Sequence, residues 1–193
     1  DGAAFRKAQA DMTRREFLKG IVGAGVGSGI ALFAGNDALA APYARVCSGI
    51  LSFYNLHTDE ALTVRYIGRN GRFDPRALRR LDYLFRCHFT NTMRPVDRHL
   101  YILLDAVRQR LRASGRPYLL VSGYRSPVYN EYLRQQGLSV AEKSYHMKAM
   151  AADVYIEGVS LDALRNAAAA FKAGGVGSYS DFIHLDVGPV RYW

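Results

Sequence analysis

The chain has 193 residues, of which 49% are hydrophobic and 22% are charged, and its formal net charge at neutral pH is +9. This length and composition are those of an ordinary folded chain with a single hydrophobic core of about 150 residues. The sequence shows no internal repeat and no low-complexity tract, which argues against a solenoid or other repeat architecture and against a largely disordered chain.

Residues 1–40 have the pattern of an export signal. Thr13 to Lys19 reads TRREFLK, the form of a twin-arginine signal, and an uncharged, Gly-rich apolar stretch of 16 residues follows at 20–35. That stretch is too short and too weakly apolar for a membrane span, and Ala38 to Ala40 has the small-x-small form of a cleavage site. We therefore expect residues 1–40 to be a twin-arginine signal peptide and 41–193 to be the mature periplasmic domain. The alternatives are an amphipathic helix or a retained membrane anchor.

The expected mature domain is basic. Residues 41–193 hold 21 basic and 13 acidic side chains, a net charge of +8. Such a surface suits an anionic polymer, and nucleic acid is the usual interpretation. The export signal and the lack of a nucleic-acid-binding motif argue against nucleic acid, so we expect an anionic polymer outside the cytoplasm. A generic solvated basic face is the alternative.

The remaining chain predicts an α+β fold. Short runs rich in β-branched and aromatic residues predict strands at 50–55, 61–67 and 118–122. Apolar periodicity and capping residues predict helices at 74–87, 95–113, 127–136 and 161–172. We expect these helices to pack against a small, mostly antiparallel sheet.

Two later segments alternate between apolar and polar residues, which predicts two more strands. One, at 152–157, carries Asp153 on its polar face, and the other, at 182–187, carries His184. If the strands are neighbours, both side chains project into one cleft. His146 lies seven residues before Asp153, in the loop that leads into the first of these strands.

Two histidines and one aspartate with an open fourth position are typical of a catalytic zinc site, whereas a structural zinc site fills all four positions. At such a site the metal lowers the pKa of a water toward neutrality and makes it a nucleophile. The alternative is a buried histidine with two surface acids.

Three motifs in order resemble the zinc D-Ala-D-Ala carboxypeptidase superfamily, which also contains the hedgehog signalling domain and the lysostaphin-type endopeptidases. They are SGYRSP at 122–127 with Asn130, SYHMKAMAAD at 144–153, and GGVGSYSDFIHLDVGPVRYW at 174–193. The closer resemblance is to its branch of small exported bacterial murein endopeptidases, over about residues 45–193. Ala149 departs from that branch, which usually has glycine there, and so does Cys87, where an Asp commonly follows the Arg.

The resemblance implies that His146, Asp153 and His184 bind one zinc ion per chain. It also implies that Arg125 holds a carbonyl or carboxylate of the substrate, a bidentate task that suits arginine.

The general base has two candidates. Asp181, three residues before His184, corresponds to the base of several relatives, whereas strand alternation puts Asp186 on the face of His184. We expect Asp181 to be the base, reaching the site from a turn at 179–181. Asp186 is then the partner of a ligand or an alternate base.

The resemblance implies a periplasmic zinc metallopeptidase with peptidoglycan as its partner, and the twin-arginine export machinery as partner of the precursor. It favours an endopeptidase that cuts peptide cross-links. The first alternative is a D-Ala-D-Ala carboxypeptidase. The second is a non-catalytic zinc-bearing domain that binds the cell wall, as the hedgehog domain shows this fold can be.

Three further residues carry open alternatives. Cys47 and Cys87 permit a disulfide in an exported protein, but twin-arginine substrates fold in the reducing cytoplasm, so two buried thiols are favoured. Trp193 is expected to pack against the core, with an aromatic wall of the cleft as the alternative.

Overall fold

Seven strands form one sheet in the computed structural model, which describes residues 46–138 and 140–193. The strands are β1 (Ile50–Asn55), β2 (Glu60–Arg65), β3 (Tyr118–Ser122), β4 (Ala151–Ile156), β5 (Gly175–Ser178), β6 (Ile183–Asp186) and β7 (Arg191–Tyr192). Their order across the sheet is β2-β1-β3-β4-β6-β5-β7. The signal peptide predicted at 1–40 lies outside the described residues.

Four α-helices and a short 3-10 helix accompany the described sheet. They are α1 (Pro75–Leu84), α2 (Arg98–Arg110), α3 (Pro127–Gln135), the 3-10 helix (Tyr145–Lys148) and α4 (Leu161–Ala169). Each α-helix begins after an Asp or Ser whose side chain accepts a hydrogen bond from a first-turn N–H. All four predicted helices are confirmed, and their ends lie at most three residues inside the predicted ones. None of the described helices is long and apolar enough to cross a membrane.

The α+β class is confirmed, but the prediction of a small, mostly antiparallel sheet is wrong. The sheet is mixed: β1 pairs with β3 in parallel, and so does β5 with β7. The parallel β1–β3 pair arises because β2, α1 and α2 lie between these strands in the chain, a connection long enough for a crossover. Alternation within one strand predicts its faces and carries no information on the direction of its neighbour.

Helix α2 holds the sheet in place. Its residues from Leu100 to Arg108 are all buried, and each fully buried leucine contributes about 1.5–3 kcal/mol through removal of apolar surface from water. The hydroxyl of Tyr118, at the start of β3, donates to the carbonyl of Leu104 at 2.9 Å. This contact fixes β3 on α2, and β3 leads directly to the segment that carries Arg125.

Cys47 and Cys87 form no disulfide. The Cys47 thiol donates to the carbonyl of Ile102, and the Cys87 thiol donates to the hydroxyl of Ser126. Burial raises the pKa of Cys47 well above its usual value. The two thiols are therefore separate, and of the two only Cys87 is buried as predicted, whereas Cys47 is partly buried.

Candidate metal centre

Three potential metal ligands converge in the described part of the chain: His146, Asp153 and His184, which together are called the triad. They are 2%, 5% and 8% exposed. His146 Nε2 lies 3.1 Å from Asp153 Oδ1 and 3.2 Å from His184 Nδ1. The distance between Asp153 Oδ1 and His184 Nδ1 is 2.9 Å. The side chains meet as strand alternation predicts, and their binding of a metal stays a prediction.

Strand register brings Asp153 and His184 together. They are directly paired across β4 and β6, so both side chains project from the same face of the sheet. His146 comes from the 3-10 helix, which Ser144 caps by accepting from the His146 N–H. That helix ends at Ala149, whose φ of 55° is in the left-handed region that favours glycine.

The outer nitrogen of each imidazole faces an acceptor. His146 Nδ1 lies 2.8 Å from the carbonyl oxygen of Gly123, and His184 Nε2 lies 2.9 Å from a carboxylate oxygen of Asp186. When each ring is neutral and donates its N–H to this acceptor, its inner nitrogen presents a lone pair to Asp153.

Three lone-pair donors that face one another at this spacing repel unless a proton or a metal cation lies among them. Ligand atoms of a tetrahedral zinc site, each about 2.0–2.1 Å from the metal, are about 3.3 Å apart. The separations of 2.9–3.2 Å in the triad are close to that value. Two imidazole nitrogens and a carboxylate oxygen are also the donor types that zinc prefers, so these residues fit a zinc ion.

Asp186 supports His184 from behind. It is fully buried and accepts from the Gly188 N–H at 2.8 Å and from Arg191 Nη2 at 2.6 Å. Burial acts to raise the pKa of Asp186, but the hydrogen bonds from His184, Gly188 and Arg191 lower it to about 2. The carboxylate therefore stays ionised and orients the His184 ring.

The pKa values of the two histidines shift in opposite directions. Burial lowers the pKa of His146 and outweighs the charge of Asp153. Burial acts in the same direction on His184, but hydrogen bonds to Asp153 and Asp186 raise its pKa overall. Burial alone would raise the pKa of Asp153, and its two histidine partners lower it instead.

Arg125 lies at the edge of the triad with spare hydrogen-bonding capacity. Its guanidinium is 3.5 Å from Asp153 Oδ2, from Ser122 Oγ and from Asn130 Oδ1, the outer limit for a hydrogen bond. Its buried Nε has no partner among the described residues. An unsatisfied buried donor needs an explanation, and a bound carboxylate or carbonyl would supply one.

Comparison with known proteins identifies the family. The family model described as peptidoglycan L,D-endopeptidase MepK matches residues 44–193. The chain belongs to this family. The resemblance drawn from the sequence motifs is therefore confirmed.

Similar proteins carry the family's name. The chain is 37% identical over 185 residues to peptidoglycan L,D-endopeptidase MepK of Escherichia coli K12. The aligned region covers 95% of the chain and 98% of that protein. The Shigella flexneri protein of the same name has the same identity and coverage. A Haemophilus influenzae protein, named probable peptidoglycan L,D-endopeptidase MepK, is 38% identical over 146 residues, 75% of this chain and 78% of its own length.

Asp181 lies in a bend between β5 and β6. It is exposed, and its carboxylate accepts from the Ser180 hydroxyl at 3.1 Å. Its action as a base stays a prediction. Asp186, by contrast, contacts the nitrogen of His184 that faces away from the triad.

Two residues beside the site, Arg191 and Trp193, make contacts that local sequence patterns do not predict. Arg191 holds Asp186, and no sequence signal marks it, because the contact depends on β7 lying next to β5. Trp193 is 47% exposed, and one side of its ring lies against the backbone of Gly177 in β5. Its ring centroid lies 5.4 Å from that of His184, which favours the alternative of a cleft wall.

Proposed function

We propose that the protein is a zinc-dependent peptidoglycan endopeptidase that hydrolyses an L,D peptide bond in stem-peptide cross-links. The observation that carries the proposal is the triad of His146, Asp153 and His184, whose lone pairs converge within 3.2 Å in a chain of the L,D-endopeptidase family. In this account His146 Nε2, Asp153 Oδ1 and His184 Nδ1 hold one zinc ion per chain.

Zinc, when bound, supplies a Lewis acid that polarises the scissile carbonyl and a pKa near 7 for a coordinated water. The buried triad holds its ligand atoms in place before substrate arrives, because Gly123 and Asp186 orient the two imidazoles. Neighbouring side chains must then bind the substrate, stabilise the charge that develops on it and transfer the proton of the attacking water.

Arg125 binds and orients the substrate. Its guanidinium is buried beside Asp153, yet its contacts are long and its Nε lacks a partner in the described structure. A substrate carboxylate, or the oxyanion that develops at the scissile carbonyl, can take these donors in a bidentate manner. This supports a role in both binding and transition-state stabilisation.

Asp181 acts as the general base in this account. Its exposed carboxylate accepts a proton from the attacking water and returns it to the leaving amine. Asp186 is less suited to this task because its oxygens already accept from His184, Gly188 and Arg191. A carboxylate with that many donors is held ionised and is a poor proton acceptor.

We expect the substrate cleft at the triad to be open at both ends, which would suit an endopeptidase better than a D-Ala-D-Ala carboxypeptidase. A carboxypeptidase needs a wall just beyond the scissile bond, with a cation that holds the terminal carboxylate. Between β3 and β4 the described chain has only α3 and the 3-10 helix, and between β4 and β5 only α4. Apart from these elements the described parts of the two connections contain only loops, which supports a cleft that is open at both ends.

We further propose that residues 1–40 are a twin-arginine signal and that the mature domain, 41–193, acts in the periplasm. The TRREFLK motif and the Ala38-to-Ala40 site support this. Changing Arg14 and Arg15 together to Lys should keep the precursor in the cytoplasm, as measured by cell fractionation. Normal processing of that double variant would contradict the export route.

Digestion of defined muropeptides tests the function. Purified zinc-loaded protein should convert cross-linked muropeptide dimers to monomers, as seen by product masses, and should leave the terminal D-Ala on free pentapeptides. Release of D-Ala with dimers left intact would favour the carboxypeptidase. Binding of peptidoglycan without any cleavage would favour the non-catalytic domain.

A further inference from the structure

Four positions lie side by side across the sheet, on the face that carries the triad. Ser122 of β3 pairs with Asp153 of β4, which pairs with His184 of β6, which pairs with Gly177 of β5. Neighbouring strands are about 4.8 Å apart, so this row extends for about 14 Å. The two metal-ligand positions are at its centre, and its two ends differ in chemistry.

At the Gly177 end, the ring of Trp193 occupies the space of a side chain. A Cβ on Gly177 would lie 2.5 Å from Cε2 of that ring. Backbone hydrogen bonds hold Trp193 there: its N–H donates to Val176, and its carbonyl accepts from Ser178 at 2.9 Å. The indole N–H also donates to the Tyr179 hydroxyl at 3.3 Å. The ring is therefore fixed beside His184 with nearly half of its surface exposed.

At the Ser122 end, the guanidinium of Arg125 lies 3.5 Å from the Ser122 hydroxyl. This end is cationic and has donor capacity to spare. The Trp193 end differs, because the guanidinium of its neighbour Arg191, 5.0 Å from the ring centroid, already pairs with Asp186 at 2.6 Å. One end of the row thus suits an anion, and the other suits an uncharged, flat or aliphatic group.

We propose that Trp193 forms a substrate subsite on the β5 side of the metal centre, where its ring packs against an uncharged peptide plane or aliphatic side-chain stem next to the scissile bond. Arg125 binds a carboxylate on the β3 side, so the two ends together set the direction in which the peptide lies across the triad. The proposal rests on the proposed function and adds a binding residue and an orientation to it.

Steady-state kinetics on a cross-linked muropeptide dimer test the subsite. Trp193→Ala should raise KM by about 3- to 10-fold, the scale of a lost aromatic packing contact, and should keep one zinc per chain. Trp193→Phe should recover most of the loss. Unchanged KM in Trp193→Ala, with the wild type active, would overturn the subsite and leave the endopeptidase assignment intact.

Two glycine variants test whether the position of the Trp193 ring matters, and not only its presence. Gly177→Ala keeps the tryptophan but forces its ring to move, so KM should rise as in Trp193→Ala. Gly115→Ala is the matched control, because a Cβ there has no atom within 4 Å and KM should not change. Equal KM values for the two glycine variants would contradict the proposal.

Fluorescence gives a readout that does not depend on turnover. Trp193 is the one tryptophan of the chain, so its emission reports this position alone. In zinc-loaded Asp181→Asn protein, titration with the muropeptide dimer should change the emission saturably, with a midpoint near the wild-type KM. Constant emission across that range would overturn the subsite. A wild type that cleaves no muropeptide would instead end the proposed function and the subsite with it.

Discussion

A carboxylate oxygen of Asp186 lies 2.9 Å from Nε2 of His184, on the side of the imidazole that faces away from Asp153. The same oxygen accepts from Arg191 at 2.6 Å, and the Asp186 side chain is fully buried. The direction of a proposed metal-binding nitrogen is therefore set by a charged residue that does not itself reach the centre of the triad.

Asp186→Ala should weaken zinc affinity by about 10- to 100-fold, because the His184 ring loses the acceptor that fixes its tautomer. Competition with a chelator measures the affinity. Asp162→Ala, an exposed acid in the first turn of α4, is the control and should bind zinc like the wild type. Equal affinity in all three proteins would show that Asp186 does not orient the ligand.

Asp181→Ala should keep stoichiometric zinc and lower turnover by about a hundredfold or more, the scale of a lost general base. The test is kcat at saturating zinc and substrate, compared with Asp186→Ala under the same conditions. Asp186→Ala should have the smaller effect on kcat once zinc is saturating. The reverse order would identify Asp186 as the base.

Ala149→Gly should raise the free energy of unfolding by about 0.5–1 kcal/mol. The φ of 55° costs alanine about 1–2 kcal/mol that glycine does not incur, and the larger entropy of glycine in the unfolded chain offsets part of the gain. Urea denaturation measures the change. Ala167→Gly, inside α4, should instead lower stability by about 1 kcal/mol. A destabilised Ala149→Gly protein would contradict the strain at this position.

His88 should make stability depend on pH between about 6.5 and 4. Burial, together with the charges of His57 and Arg125, lowers the pKa of His88 to about 4. In that window the unfolded chain binds a proton that the folded chain does not, so stability is lost as the pH falls. His88→Phe keeps a ring against His57 and should flatten this dependence in urea titrations at pH 7 and 5. Parallel curves for variant and wild type would exclude the effect.

Strand alternation predicted the centre of the site, because it assigns faces and Asp153 and His184 lie on the polar faces of adjacent strands. The position of His146 came from a motif, since a 3-10 helix of four residues has no usable periodicity. Trp193 as a wall of the cleft was only an alternative, and the contact of Arg191 with Asp186 could not be predicted. Both depend on β7 pairing in parallel with β5, and local sequence patterns carry no information on that pairing.

Zinc-dependent catalysis is tested by removing zinc from the protein, restoring it, and measuring the cleavage of a cross-linked muropeptide dimer at each stage. We expect elemental analysis to find one zinc per chain. Cleavage should stop when a chelator removes the zinc and should recover fully with one equivalent of zinc. His184→Ala should bind no stoichiometric zinc and should cleave nothing, while its fold persists because a core of this size does not depend on a metal. Wild-type protein that cleaves the dimer at full rate without any transition metal would contradict the account.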